Sequence, residues 1–126
     1  MFSKVKLATL KESGRLSKVP KDKVLFKKGD NGFEMYIILS GSVNIYANEY
    51  SKDIPPLVIL KNGDFFGEMA LLEDFPRSTT AVAQEECLLL VINKVNFEKA
   101  IKNDPGFAIK IMQSLSNRLR LQTKRY

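Results

Sequence analysis

The chain has 126 residues, 44% apolar and 10% aromatic, the composition of one folded domain with a single core rather than of a disordered segment. It carries a net charge of +6 and no histidine. Without imidazole, metal sites on β-rich folds and most general acid–base chemistry lose their usual ligand and proton carrier. No clustered carboxylate pair offers a division into acid and base, so neither catalytic residues nor a metal site are expected and the chain is read as a non-enzyme.

The single cysteine, Cys87, sits in the apolar run 87–92 and is read as a buried small side chain. It excludes an internal disulfide and fits a reducing, cytoplasmic location. No signal peptide is legible, and no stretch of about 18 apolar residues predicts a membrane span. The positive charge is concentrated in residues 1–28 and 118–125. Nucleic acid, acidic lipid or a phosphorylated ligand would all suit it, and the plainest reading is a solvated cationic surface.

Along the chain, Phe2, Val5, Leu7, Leu10 and Leu16 recur at roughly helical intervals, which predicts a short helix in residues 1–17 before a break at Pro20. Residues 24–26 then read as a strand closed by the turn residues Gly29, Asp30, Asn31 and Gly32. Residues 35–39 and 42–47 read as strands joined in a hairpin through Ser40-Gly41, with Val43, Ile45 and Ala47 on the buried face. Pro55-Pro56 ends a loop, and 57–60 is a strand stopped by Asn62-Gly63-Asp64. Two further strands, 78–83 and 87–92, flank the turn 84–86. Their spacing suits a sandwich or barrel, and no internal repeat is evident. Asn93 is placed to cap a helix, Asp104-Pro105-Gly106 breaks it, and a last helix runs from Phe107 with Ile111, Met112, Leu115 and Leu119 on one face.

One segment carries chemistry: residues 63–81, containing Phe66-Gly67-Glu68-Met69-Ala70-Leu71 and Pro76-Arg77-Ser78-Thr79. Gly67 lets a ligand approach the backbone. Residues 68–72 suit a helical turn whose first N–H groups attract an anion. Arg77 offers a fork for two phosphate oxygens. Glu68 repels phosphate but accepts a hydrogen bond from a hydroxyl. A hydroxyl beside an anionic phosphate is the arrangement of a ribose 3′,5′-cyclic phosphate.

These two blocks resemble the phosphate-binding cassette of the cyclic nucleotide-binding domain family, F-G-E-[LIM]-[AG]-L followed by P-R-[SAT]-[AT], without a mismatch. Lys28-Gly29-Asp30 and Leu39-Ser40-Gly41-Ser42-Val43 resemble the family's early turns, and the likeness covers roughly residues 20–126. It implies a mainly β fold with flanking helices: a double-stranded β-helix (jelly-roll) barrel with a short N-terminal helix and two C-terminal helices. The domain is then one unit over 1–126, with 1–19 helical, 20–92 the jelly roll with its cassette at 65–80, and 93–126 the C-terminal helices.

The resemblance also implies roles. Gly67, Glu68 and the Met69 and Ala70 amides face ribose and phosphate, Arg77 neutralises the phosphate, and Ser78 and, more weakly, Thr79 bond near it. Phe66 belongs to the motif, although its ring and that of Phe65 are expected in the core. Thr123 lies where related bacterial regulators place a polar base contact. The ligand expected is cAMP, favoured over cGMP, with no further cofactor, and the C-terminal helix is expected to relay binding and to offer a homodimer seam. No helix-turn-helix segment is legible, so specific DNA binding by this chain alone is not expected. The alternative is that Glu68 and Arg77 pair with each other in a loop that binds nothing, leaving an interaction module of the same fold that has lost nucleotide response.

Overall fold

The computed structural model describes residues 14–122. Two four-stranded antiparallel sheets face each other. The strands are β1 Arg15–Val19, β2 Val24–Phe26, β3 Glu34–Ser40, β4 Val43–Tyr46, β5 Val58–Leu60, β6 Phe65–Phe66, β7 Thr80–Ala83 and β8 Cys87–Asn93. One sheet has the order β1-β8-β3-β6 and the other β2-β7-β4-β5. A short helix, α1 (Glu68–Glu73), lies between β6 and β7, and α2 (Lys94–Asn103) and α3 (Pro105–Gln122) follow the last strand.

The first sheet is buried on both faces. Ile38, Phe66 and Leu89 point into the sandwich with Val43, Ile45 and Ala81 of the second sheet. Ile37, Phe65 and Leu90 point the other way, into a second cluster with Leu71, Phe97 and Phe107 from the three helices. A strand covered on both faces needs no polar alternation, which accounts for the unbroken apolar run of β8. Each apolar side chain so buried contributes about 1.5–3 kcal/mol from its removal from water.

The helices begin and end where local chemistry directs. The Asn93 Oδ1 accepts the Asn96 N–H at 2.8 Å and caps α2. Pro105 opens α3, where a missing N–H costs nothing, and the Asp104 Oδ1 accepts the Gly106 N–H at 3.1 Å. Phe97 and Phe107 meet edge to face, 5.5 Å between centroids, and lock α2 against α3.

Three expectations change. The helix predicted in 1–17 overlaps β1, which pairs along its length with β8; residues 1–13 lie outside the described residues. The helical spacing ended in Leu16, yet Leu16 faces solvent at 55% exposure on a strand. Second, β3 and β4 are not a hairpin: they belong to different sheets, and Ser40-Gly41 is a corner between them. Gly41 has φ 96°, and a Cβ there would stand 2.5 Å from the Glu86 carbonyl oxygen and 2.8 Å from the Cys87 sulfur, so only glycine fits. The 84–86 turn likewise crosses between sheets. Third, β4 is not half-solvated. Tyr46 on its outer face is buried and lies 5.1 Å from the Tyr50 ring, while Ala47 is exposed beyond the strand end.

Candidate functional site

β6 delivers Phe66 and Gly67 to the mouth of the sandwich, and there the chain turns sharply. Gly67 takes φ 80°, ψ 7°, and no side chain caps the helix α1 that it opens. A Cβ on Gly67 would lie 2.6 Å from the Arg77 Nη1. The glycine thus serves two ends: the left-handed turn and the close approach of a guanidinium.

Arg77 and Glu68 are buried charges, 6% and 4% exposed. They do not pair with each other. Arg77 Nη1 donates to the Gly67 carbonyl at 3.0 Å, and its guanidinium lies 4.3 Å over the Phe26 ring and 5.6 Å from that of Tyr36. Its Nε is buried with no hydrogen-bond partner among the described residues. Burial holds the Arg77 pKa below its ordinary value, opposed by the negative potential of Tyr36, Glu34, Asp30 and Glu68. Such a cation, desolvated and short of acceptors, is well disposed to an anion.

Glu68 meets a different partner. Arg118, from the C-terminal half of α3, donates from Nη1 to the Glu68 Oε1 at 2.6 Å and from Nη2 to the Phe65 carbonyl at 2.7 Å. Its guanidinium also lies 4.8 Å over the Phe65 ring. One side chain thereby ties α3 to both β6, the strand that opens the cassette, and the acid that follows it.

Phe66, Gly67, Glu68, Met69, Ala70, Arg77, Ser78 and Thr79 all line one cleft of about 650 Å³. Ser78 is exposed, its hydroxyl 3.9 Å from the Met69 sulfur, and Thr79 is half-buried. Thr123 lies outside the described residues. Phe66 packs in the sandwich core as expected, with its ring 4.9 Å from Tyr36. The sequence reading missed the rest of the wall: Leu57, Val58 and Leu60 on one side, Leu115 and Leu119 of α3 on the other, and Arg118 between them. In the sequence Arg118 belongs to a basic stretch, 118–125, that reads as solvated surface. Its place between two apolar α3 residues was the available signal that it faces inward.

Comparison with known proteins agrees with this geometry. Residues 16–104 match the family model described as the cyclic nucleotide-binding domain, and the chain belongs to that family. It is 34% identical over 101 residues to the cyclic AMP receptor protein of Thermus thermophilus, covering 80% of this chain and 47% of that one. The crystal structure of the Thermus thermophilus catabolite activator protein superposes with a TM-score of 0.85 at 28% identity, over 97% of this chain and 57% of that one. The cGMP-bound form of the EAL enzyme Bd1971 is similar at 34% identity and a TM-score of 0.64, over 87% of this chain and 29% of that one. This chain therefore spans less than half the length of the curated relative and a smaller part of the enzyme. Among the described residues no helix is long and apolar enough to cross a membrane.

Proposed function

We propose that the domain is a non-enzymatic sensor that binds a cyclic nucleotide, cAMP in preference to cGMP, and relays occupancy through α3. The observation that carries this reading is the pair of buried opposite charges in one cleft, each held apart from the other. The cyclic phosphate docks on Arg77, Ser78 and the uncapped amides that follow Gly67. A ribose hydroxyl donates to Glu68, and the base lies between Leu57 and Val58 on one side and Leu115 and Leu119 on the other. That largely apolar wall supports adenine, which asks for fewer polar partners than guanine.

Arg118 supplies the relay. A ribose hydroxyl at Glu68 competes for the carboxylate that now accepts from Arg118, so occupancy redirects this ion pair between cassette and α3. The ligand shifts α3 only by as much as it binds one arrangement better than the other. The partner of the shifted helix is a second copy of this chain, for Ile109 and Met112, one turn apart on α3, are 51% and 60% exposed.

Calorimetric titration with cAMP and with cGMP tests the reading, and cAMP is expected to bind more tightly. Lack of binding of either at millimolar concentration sinks it and leaves the interaction module. Unchanged nucleotide after prolonged incubation, read by chromatography, is the outcome expected of a non-enzyme. Arg118→Ala is expected to leave binding measurable while abolishing any ligand-dependent change in the sedimentation of the chain; a persisting change refutes the relay.

A further inference from the structure

We infer that Gly32, with Phe26 and Tyr36, forms a rear cradle that fixes the Arg77 guanidinium in its binding pose, making these three the positioning residues of the site. The inference rests on the cyclic-nucleotide reading above and extends it to a segment outside the cassette.

Three observations carry it. The turn before Gly32 is fastened to Arg77 itself: Gly29 N–H donates to the Arg77 carbonyl at 2.8 Å, and Arg77 N–H donates to the Asp30 carbonyl at 2.8 Å. A third bond, from Lys28 N–H to the Thr80 hydroxyl at 3.0 Å, holds the same turn to the following strand. Next, a Cβ on Gly32 would collide with Nε and Cζ of Arg77 and stand 2.5 Å from Nη2. The guanidinium edge is thus pressed against a backbone that has room for no side chain. Finally, Phe26 and Tyr36 stack with each other at 6.0 Å and both face the guanidinium. Phe26 closes off the flat face of the cation with a negative ring surface.

A free arginine side chain loses much rotamer freedom on binding a ligand. Gly32 behind, Gly67 in front and Phe26 across the face remove that freedom in advance. A guanidinium held this way loses less on engaging phosphate, the general gain of preorganisation. Gly32 has no other evident duty at this spot: its own φ is not in the left-handed region, unlike that of Gly29 and Gly67. A merely conformational role does not explain it.

The test combines affinity with a stability cycle. Wild type, Gly32→Ala, Arg77→Ala and the double variant are titrated with cAMP and melted without ligand. Gly32→Ala is expected to weaken cAMP binding by about tenfold or more, the scale of a displaced charged contact. In the melts it is expected to lower Tm in the wild-type background and to leave Tm nearly unchanged in Arg77→Ala, because the colliding side chain is gone. Wild-type affinity in Gly32→Ala overturns the inference and leaves the cyclic-nucleotide reading intact. An equal loss of Tm in both backgrounds also overturns it, since the glycine then serves its own backbone. A wild type that binds neither cAMP nor cGMP overturns both. Should Gly32→Ala fail to fold by circular dichroism, Phe26→Leu decides: it retains an apolar core residue, and an undiminished affinity refutes the cradle.

Discussion

Two turns of this molecule, 27–30 and 61–64, share the sequence Lys-x-Gly-Asp and almost the same bonds. In each, the lysine N–H donates to the aspartate Oδ2 at 2.9 Å and the aspartate N–H returns to the lysine carbonyl at 3.0 Å. In each, the glycine sits in the left-handed region, at φ 91° and 87°. Each then clasps one residue of a neighbouring segment by two backbone bonds: Gly29 and Asp30 hold Arg77, while Gly63 and Asp64 hold Ile38 at 2.8 and 2.9 Å. The difference is the side chain held. Ile38 goes into the sandwich core, and Arg77 goes into the cleft. One clasp therefore presents a core side chain in one place and, on the proposed reading, a ligand-binding one in the other, and the difference lies in the presented side chain rather than in the turn.

The largest test of that contrast exchanges the two losses. Arg77→Ala is expected to weaken cyclic nucleotide binding by about a hundredfold or more, because a desolvated phosphate loses its charged partner. Its unfolding should remain cooperative. Ile38→Ala is expected to cost about 2–5 kcal/mol of stability by opening a core cavity, with affinity retained well below the transition. Urea unfolding and calorimetry on both variants decide; a large affinity loss in Ile38→Ala breaks the comparison.

A smaller test cuts the clasps themselves. Asp30→Ala and Asp64→Ala each remove one side-chain bond to a backbone N–H, worth about 1 kcal/mol. Matching stability losses are expected, but only Asp30→Ala should also weaken ligand binding. Equal affinities in the two variants would falsify the division of labour.

The smallest effect is on pH dependence. Burial raises the Tyr36 pKa above its ordinary 10.0, outweighing the opposing potential of Arg77. Below pH 10 both folded and unfolded chains keep that proton. Above it the unfolded chain releases the proton first, so stability falls as pH rises through 10 and beyond. Tyr36→Phe is expected to flatten this alkaline slope in chemical denaturation, and no comparable change is expected from substitutions around Ile38.

Much of this was legible in the sequence, and what was not has physical causes. The gathering of the cassette in one cleft could be read because its residues lie close together in the chain and their expected chemistry is local. Strands β2 to β5, β7 and β8 could be read from turn residues and apolar runs. Sheet membership could not, since Ser40-Gly41 suits a hairpin and a corner equally, and the choice depends on the distant Glu86 and Cys87. Arg118 escaped because its partner lies 50 residues earlier and because it opens the basic stretch 118–125. Gly32 was recognised as a turn residue, while its contact with Arg77 exists only once the turn is docked. β1 was hidden by polar residues on an edge strand whose apolar Leu16 faces outward.

The corner at Gly41 leaves one more consequence. It closes over Cys87, a residue 1% exposed, whose sulfur lies 3.2 and 3.1 Å from the Ser42 and Glu85 carbonyl oxygens that share its one S–H, and whose pKa is raised above 9.0 by burial. The chain contains no other cysteine. An alkylating reagent can therefore reach sulfur only when the two sheets part at this seam, and the labelling rate becomes a clock for that opening. Labelling of this one thiol thus reports opening at the Gly41 corner without any added probe.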